Sequence, residues 1–225
     1  FGGQEMGHAV VDVLLGEADP GGRLPTTIPE RIEHTPAYGN FPGEHGQVRY
    51  GEGVFIGYRW YEARHLPVRF PFGHGLSYTT FEIGQPDCED TEISSAQEVT
   101  IRIPITNTGS RIGTEVVQVY VAPRNSSVQR PNKELKSFAK VNLKPGESTV
   151  VTIELSPRDF AFWNPGDIYR SVLRPQVTGE STNIALDQRG DWQIDQGLYD
   201  IHIGTSSVDI AHQFVINISD NNELG

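Results

Sequence analysis

VRYGEGVFIGYRWYEARHLPVRFPFGHGLSYTTFE, residues 48–82, carries nine aromatic side chains: Tyr50, Phe55, Tyr58, Trp60, Tyr61, Phe70, Phe72, Tyr78 and Phe81. Glycines punctuate it at Gly51, Gly53, Gly57, Gly73 and Gly75. On its N-terminal side the apolar residues recur at helical spacing. On its C-terminal side they recur at every second residue. The stretch therefore stands at a boundary between two unlike parts, as a hinge or as a fastening.

Upstream, Gln4 to Leu15 reads as a helix. Met6, Ala9, Val10, Val13 and Leu14 follow the i, i+3, i+4, i+7, i+8 rule and give one apolar face. Gly16 supplies the stop. Residues 18–29, ADPGGRLPTTIP, contain three prolines and two adjacent glycines, and predict an extended strap. Glu30 to Gln47 is polar and loop-like.

Downstream, Val99, Ile101, Ile103 and Ile105 alternate with Thr100, Arg102, Pro104 and Thr106, as a half-buried strand requires. Asn107 to Ser110 reads as a turn. Glu115 to Ala122 alternates again, with Val117, Val119 and Val121 on one face. Leu135 to Leu143, Val151 to Leu155, Leu198 to Ile203 and Gln213 to Ile218 continue the series, with a turn at Lys144 to Glu147. A strand near Phe81 brings the total to seven. Seven short strands separated by turn signals predict a mainly β fold, an immunoglobulin-like or fibronectin type III-like sandwich. Asn164 to Gly190 breaks the spacing and reads as a surface insertion.

Composition bounds the function. The 225 residues include 24 Gly and 15 Pro, which suits turns, and the formal charge is −11, which repels phosphate backbones. Nucleic acid is not an expected partner. No run of about 18 apolar residues predicts a membrane span. Cys88 is the only cysteine, so no intrachain disulfide forms. Its acidic neighbourhood, PDCEDTE, raises a thiol pKa and argues against a nucleophile. No metal-binding, phosphate-binding or dinucleotide motif occurs, and no cofactor is expected. Trp60, Trp163 and Trp192 are read as core or interface residues, with sugar stacking as the alternative. Glu44, Glu52 and Glu62 lie among aromatics and arginines, which suits a carbohydrate site. The same composition suits a domain interface. On that reading Arg49, Arg59, Arg64 and Arg69 pair with these acids, and Tyr58, Trp60 and Phe72 are largely buried. Asn125-Ser126-Ser127 and Asn217-Ile218-Ser219 are formal glycosylation sequons.

GQEMGHAVVDVLLGEADPGGRLPTTIP, RYGEGVFIGYRWYE and FPFGHGLSYTTFE, in that order, resemble the C-terminal part of glycoside hydrolase family 3, which contains β-glucosidases. RPNKELKSFAKVNLKPGESTVVTIELSPRDFAFWN and GLYDIHIGTSSVDI resemble the fibronectin type III-like domain that follows in many members. The resemblance implies two parts. Residues 1–76 would be the end of the family's second, α/β domain with its strap along the domain surface. Residues 77–225 would be the accessory sandwich. It implies a retaining, exo-acting β-glycosidase whose active site lies between a (β/α)8 barrel and the second domain. The nucleophilic Asp and the acid/base Glu belong to segments upstream of residue 1, so no residue here is carried over as catalytic. The opening FGGQEMG, without an initiator Met, fits the interior of a longer protein. The implied partners are the N-terminal catalytic domains of the same chain and a β-linked oligosaccharide or glycoside, with no membrane. Secreted and cytoplasmic locations are both compatible. Glu52, Tyr58, Arg59, Trp60, Tyr61 and Phe72 are the candidates for an interface or substrate entrance. The competing reading is a non-catalytic carbohydrate-binding or adhesion module.

Overall fold

The computed structural model describes residues 2–165 and 190–219. Helix α1 spans Met6–Leu15 and ends where Gly16 adopts φ +78°, the left-handed conformation that glycine enters without a Cβ penalty. The strap follows. Its end, β1 (Ile28–Pro29), pairs antiparallel with β2 (Val68–Phe70). Between them lie a 3-10 turn at Ile32–His34 and a six-residue helix, α2 (Tyr58–Ala63). Sequence periodicity did not predict α2, because six residues are too few to establish a helical period.

The remainder is a two-sheet sandwich. Strands β3 (Phe81–Ile83), β4 (Asp87–Cys88), β5 (Glu92–Ile93), β6 (Val99–Asn107), β7 (Gly113–Pro123), β8 (Glu134–Leu143) and β9 (Ser148–Leu155) come first. A short helix, α3 (Pro157–Phe160), then leads to β10 (Phe162–Asn164), β11 (Asp191–Gln193), β12 (Gly197–Gly204) and β13 (Ile210–Ile218). One sheet runs β5-β13-β12-β7-β8; the other places β6 between β9 on one side and β3 and β4 on the other. All seven strands expected from alternation are present. The core lies between the sheets, where Ile101, Ile103 and Ile105 of β6 meet Val117, Val119 and Val121 of β7 and Ile201 and Ile203 of β12. Asn107 is fully buried and fully used. Its amide donates to the carbonyls of Arg111 and Leu143, and its Oδ1 accepts from the Thr79 hydroxyl and the Gly109 N–H. That satisfies a buried polar group and fixes the Asn107 to Ser110 turn.

Two features go beyond or against the expectations. The strap's polar side chains bind the sandwich. Asp19 accepts hydrogen bonds from the backbone of Tyr78 and Thr114 and from the Ser77 hydroxyl. Arg23 forms an ion pair with Glu115 and donates to the Gly75 carbonyl. Second, Trp163 and Trp192 do not fill the core. They face each other across the β10–β11 ribbon, with ring centroids 5.3 Å apart, and are 49% and 42% exposed. Most of the expected Asn164 to Gly190 insertion lies outside the described residues.

Candidate functional site

Strand β7 shows why the aromatic stretch matters. Its inward residues Val117, Val119 and Val121 are buried, as alternation requires, but so are Gln118, Tyr120 and Ala122 on the outer face. An antiparallel sheet can leave one face in water. Here the outer face is covered from the aromatic stretch, by Tyr58 on Tyr120 and Gly73 on Gln118.

Helix α2 provides the cover. Tyr58 and Tyr61, three residues apart on one face, are 8% and 6% exposed. The Tyr58 ring meets Tyr120 edge-on at 5.9 Å and Phe72 at 5.0 Å, and its hydroxyl accepts a 2.7 Å hydrogen bond from the Leu135 N–H. Burial pushes the Tyr58 and Tyr61 phenols up, so both stay neutral. Gly73, at φ +81°, sits where a Cβ would run into the Gln118 amide and the Ser206 backbone. Only glycine permits that approach. The N–H of Gly73 donates to Leu24, and the N–H of Ser207 to Phe72, tying strap, aromatic stretch and the β12–β13 turn together.

The charged residues interlock differently from the expected pattern. Glu62 pairs with Lys133 at 2.8 Å, and Arg59 reaches Glu134 at 3.4 Å. Both partners come from the start of β8 and the residue before it rather than from the aromatic stretch. Among the described residues Arg49, Arg64 and Arg69 form no ion pair; Arg64 instead lies over the Trp60 ring at 3.9 Å. Glu134 also takes Arg130 at 3.0 Å and Lys136 at 3.6 Å. Burial opposes its ionisation, but these three cations outweigh it and hold the carboxyl below its usual range. Burial raises Glu62, against the pull of Lys133.

The six candidates separate into two groups. Tyr58, Arg59, Tyr61 and Phe72 face the sandwich. Trp60 and Glu52 face outward, into a shallow depression shared with Phe55 and Arg64. Trp60 and Phe72 are half-buried rather than buried, and the Trp60 indole donates to the His34 carbonyl at 2.9 Å. The three carboxylates do not converge. Glu44 is exposed in a bridge to Gln47, Glu52 lines the depression and Glu62 lies on the opposite side of α2 with Lys133. The Cys88 thiol is raised by burial and by Asp87, Asp90 and Glu89. Among the described residues no group of His, Cys, Asp and Glu is arranged to hold a metal ion, and no helix is long and apolar enough to cross a membrane.

Beneath α2 lies a cavity of about 290 Å³, lined by Thr27, Tyr58, Tyr61, Glu62, Asn132, Lys133 and Ser207 among others. Sequence reading missed Thr27, Asn132, Lys133 and Ser207. The only local signal was the polar density of RPNKEL, residues 130–135.

Residues 1–78 match the glycosyl hydrolase family 3 C-terminal domain, and residues 115–207 match the fibronectin type III-like domain. Residues 1–78 thus carry the C-terminal domain of glycosyl hydrolase family 3. It is 42% identical over 211 residues to thermostable beta-glucosidase B of Acetivibrio thermocellus, covering 94% of this chain and 25% of that protein. It is also 42% identical over 214 residues to an exo-alpha-(1->6)-L-arabinopyranosidase of Bifidobacterium breve, covering 95% of this chain and 25% of that one. The crystal structure of a GH3 beta-glucosidase from Bifidobacterium adolescentis superposes with a TM-score of 0.81 at 40% identity, over 96% of this chain and 28% of that one. The chain thus spans about a quarter of the length of the curated family 3 relatives it matches. The cavity draws its lining from both matched regions: Thr27 to Pro71 from the first, Asn132, Lys133 and Ser207 from the second.

Proposed function

We propose that this chain is the C-terminal portion of a retaining, exo-acting β-glycosidase, a β-glucosidase that releases terminal β-D-glucosyl residues. Residues 1–76 close its second domain and residues 77–225 form its accessory sandwich. The observation that carries the reading is the order of the two family 3 regions, joined on one chain in the arrangement of beta-glucosidases it matches over more than nine-tenths of its length. A retaining glycosidase needs two carboxylates about 5 Å apart across the scissile bond. That Glu44, Glu52 and Glu62 lie on different faces supports a reading in which this chain braces the active site rather than supplying it. The β7 outer face is where it does so: Tyr58, Phe72 and Gly73 lock the strap to the sandwich. The purified chain should not hydrolyse an aryl β-D-glucoside, and joining it to the upstream region of its own gene should produce hydrolysis. Turnover by the chain alone overturns the reading.

The arabinopyranosidase relative supports a second substrate reading of the same architecture. Parallel assays with aryl β-D-glucoside and aryl α-L-arabinopyranoside on the extended protein separate the two. A carbohydrate-binding role gains support from the exposed Trp163–Trp192 pair. Retardation in affinity gels of cellulose, xylan or β-glucan, lost on Trp192→Ala, tests it.

A further inference from the structure

His202 lies on the outer face of the five-stranded sheet, between the core residues Ile201 and Ile203 of β12. It is half-buried and stands directly across from Tyr120 of β7 on one side and Gln213 of β13 on the other. Same-face partners across an antiparallel pair lie about 5 Å apart at Cβ, so the imidazole borders the ring that Tyr58 of α2 covers. Lys133 Nζ sits 6.0 Å from the centre of that Tyr120 ring and 2.8 Å from Glu62 of α2. Asp200 is two residues along on the same face, held by Arg124 of β7 at 2.8 Å and bonded by Gln213. The phenols of Tyr58, Tyr61 and Tyr120 are pushed up by burial and stay neutral, and His65, which follows α2, is exposed. With His202 neutral the cluster is balanced, Lys133 against Glu62 and Arg124 against Asp200. Both carboxylates are engaged, so a proton on His202 adds a charge to a half-buried space that is already neutral.

We propose that His202, Lys133 and Glu62 form a pH-sensitive clasp: with His202 neutral, Lys133 holds α2 on β7 through Glu62, and with His202 protonated, Lys133 is repelled and the aromatic stretch loosens from the sandwich. Lys133 is the pivot because one ammonium serves both contacts, the ion pair to α2 and the approach to the imidazole. Burial and the Lys133 charge hold the imidazole below its ordinary value, with Asp200 offsetting them in part. The sign follows from linkage. The unfolded chain takes up this proton at the ordinary value, near 6.5, and the folded chain only further down. Stability is therefore lost as pH falls through that window, and nothing changes above it. Histidine is the side chain whose ordinary titration falls between pH 5 and 8, so the clasp is closed at neutral pH and opens in mild acid. Burial raises Glu62, and a raised carboxyl works in the opposite sense, adding stability as pH falls. A whole-molecule denaturation curve mixes the two trends, so the imidazole and the clasp are read directly. The nearest reporter is the Leu135 N–H, two residues from Lys133, which the Tyr58 hydroxyl accepts at 2.7 Å.

The clasp rests on its own geometry and not on the proposed glycosidase activity, so it is tested on the 225-residue chain. The imidazole NMR signal of His202, assigned through the backbone, should titrate with a midpoint below the ordinary value of about 6.5. Lys133→Met combined with Glu62→Gln removes the cation without stranding its carboxylate, and should move that midpoint up by about half a unit. Hydrogen exchange of the Leu135 amide, corrected for the intrinsic rate, should be about 10-fold faster at about pH 5.5 than at about pH 7.5, the factor for one unit of depression. The β6 amides should move far less. In His202→Gln the Leu135 amide should lose most of that pH dependence. A His202 midpoint at or above the ordinary value overturns the proposal. So does a midpoint unmoved in the double variant, or a Leu135 amide that depends on pH equally in wild type and His202→Gln. The first two measurements decide the matter if His202→Gln does not fold.

Discussion

Helices α1 and α2 invert what their sequences advertise. The first has ten residues, a regular apolar face and no buried residue; Met6 is 54% exposed and Leu14 73%. The second has six residues, no resolvable period and two buried tyrosines. Amphipathic pattern sets which face a helix can bury, but burial needs an opposing surface. For α2 that surface is the outer side of β7 and β8, where Tyr120 and the Leu135 backbone meet Tyr58. For α1 the contacts to the sandwich come from its last turn and cap: the Val13 carbonyl accepts from the Tyr78 hydroxyl, and the Gly16 carbonyl from Arg111. A long apolar face left in water is an association liability.

The contrast can be broken by mutation, with urea denaturation of this chain as the measurement. Tyr58→Ala should cost the most, about 3–5 kcal/mol, because it opens a cavity against Tyr120 and Phe72 and strands the Leu135 N–H. Arg23→Met should cost about 3 kcal/mol, since it leaves the Glu115 carboxylate buried without its cation. A loss under 1 kcal/mol would remove α2 as the cover of β7 in the first case and the Arg23–Glu115 pair as a fastening of the strap in the second. Trp60→Ala should fall lower, about 1–2 kcal/mol, as a half-buried ring that keeps one hydrogen bond and a stacked arginine.

Asp19→Asn comes next, at about 1 kcal/mol, and carries a pH signature. Burial opposes ionisation of Asp19, but the N–H of Tyr78, the hydroxyl of Ser77, the N–H of Thr114 and the charge of Arg111 outweigh it, so the carboxyl lies below its ordinary range. A depressed folded pKa contributes stability above the unfolded value and loses it as pH falls through the folded one. Wild type should therefore lose stability below about pH 4 more steeply than Asp19→Asn. Equal slopes would remove Asp19 from the account. The smallest effect is expected on α1. Leu14→Lys should change stability by no more than about 0.5 kcal/mol while reducing self-association. The same change in a chain extended upstream measures whether that face gains a cover there.

These contrasts locate what the sequence could and could not convey. The sandwich was legible because Val99 to Ile105 and Val151 to Leu155 repeat at the period of a strand with one wet face. The alternation of β7 was misleading on that same point. Gln118 and Tyr120 occupy positions that read as solvent-facing, and are buried because a second layer returns from residues 58–73. Nothing local encodes that return. Likewise Glu62 reads as one acid among arginines, yet its partner Lys133 is 71 residues away. The aromatic stretch reads as a boundary, but the division of labour inside it was not visible. Tyr58 and Tyr61 turn inward and Trp60 outward because α2 rotates each residue by about 100°. Thr27 gave no signal at all, since a threonine in a proline-rich strap is unremarkable until the cavity beside it is seen.

The fastening of the strap also sets an order of events. The bonds from Gly16 to Arg111, Asp19 to Thr114 and Arg23 to Glu115 join residues 95, 95 and 92 positions apart. Closing loops of that length is slow relative to forming the neighbouring β7–β8 and β12–β13 hairpins. On a ribosome, the strap leaves the exit tunnel before β7 and waits until β7 has been made before it can hold the sandwich. Pulsed hydrogen exchange during refolding should accordingly protect the Val117–Val121 amides of β7 before those of Leu24 and Gly73. The strap is then made before the sandwich and fastened to it afterwards.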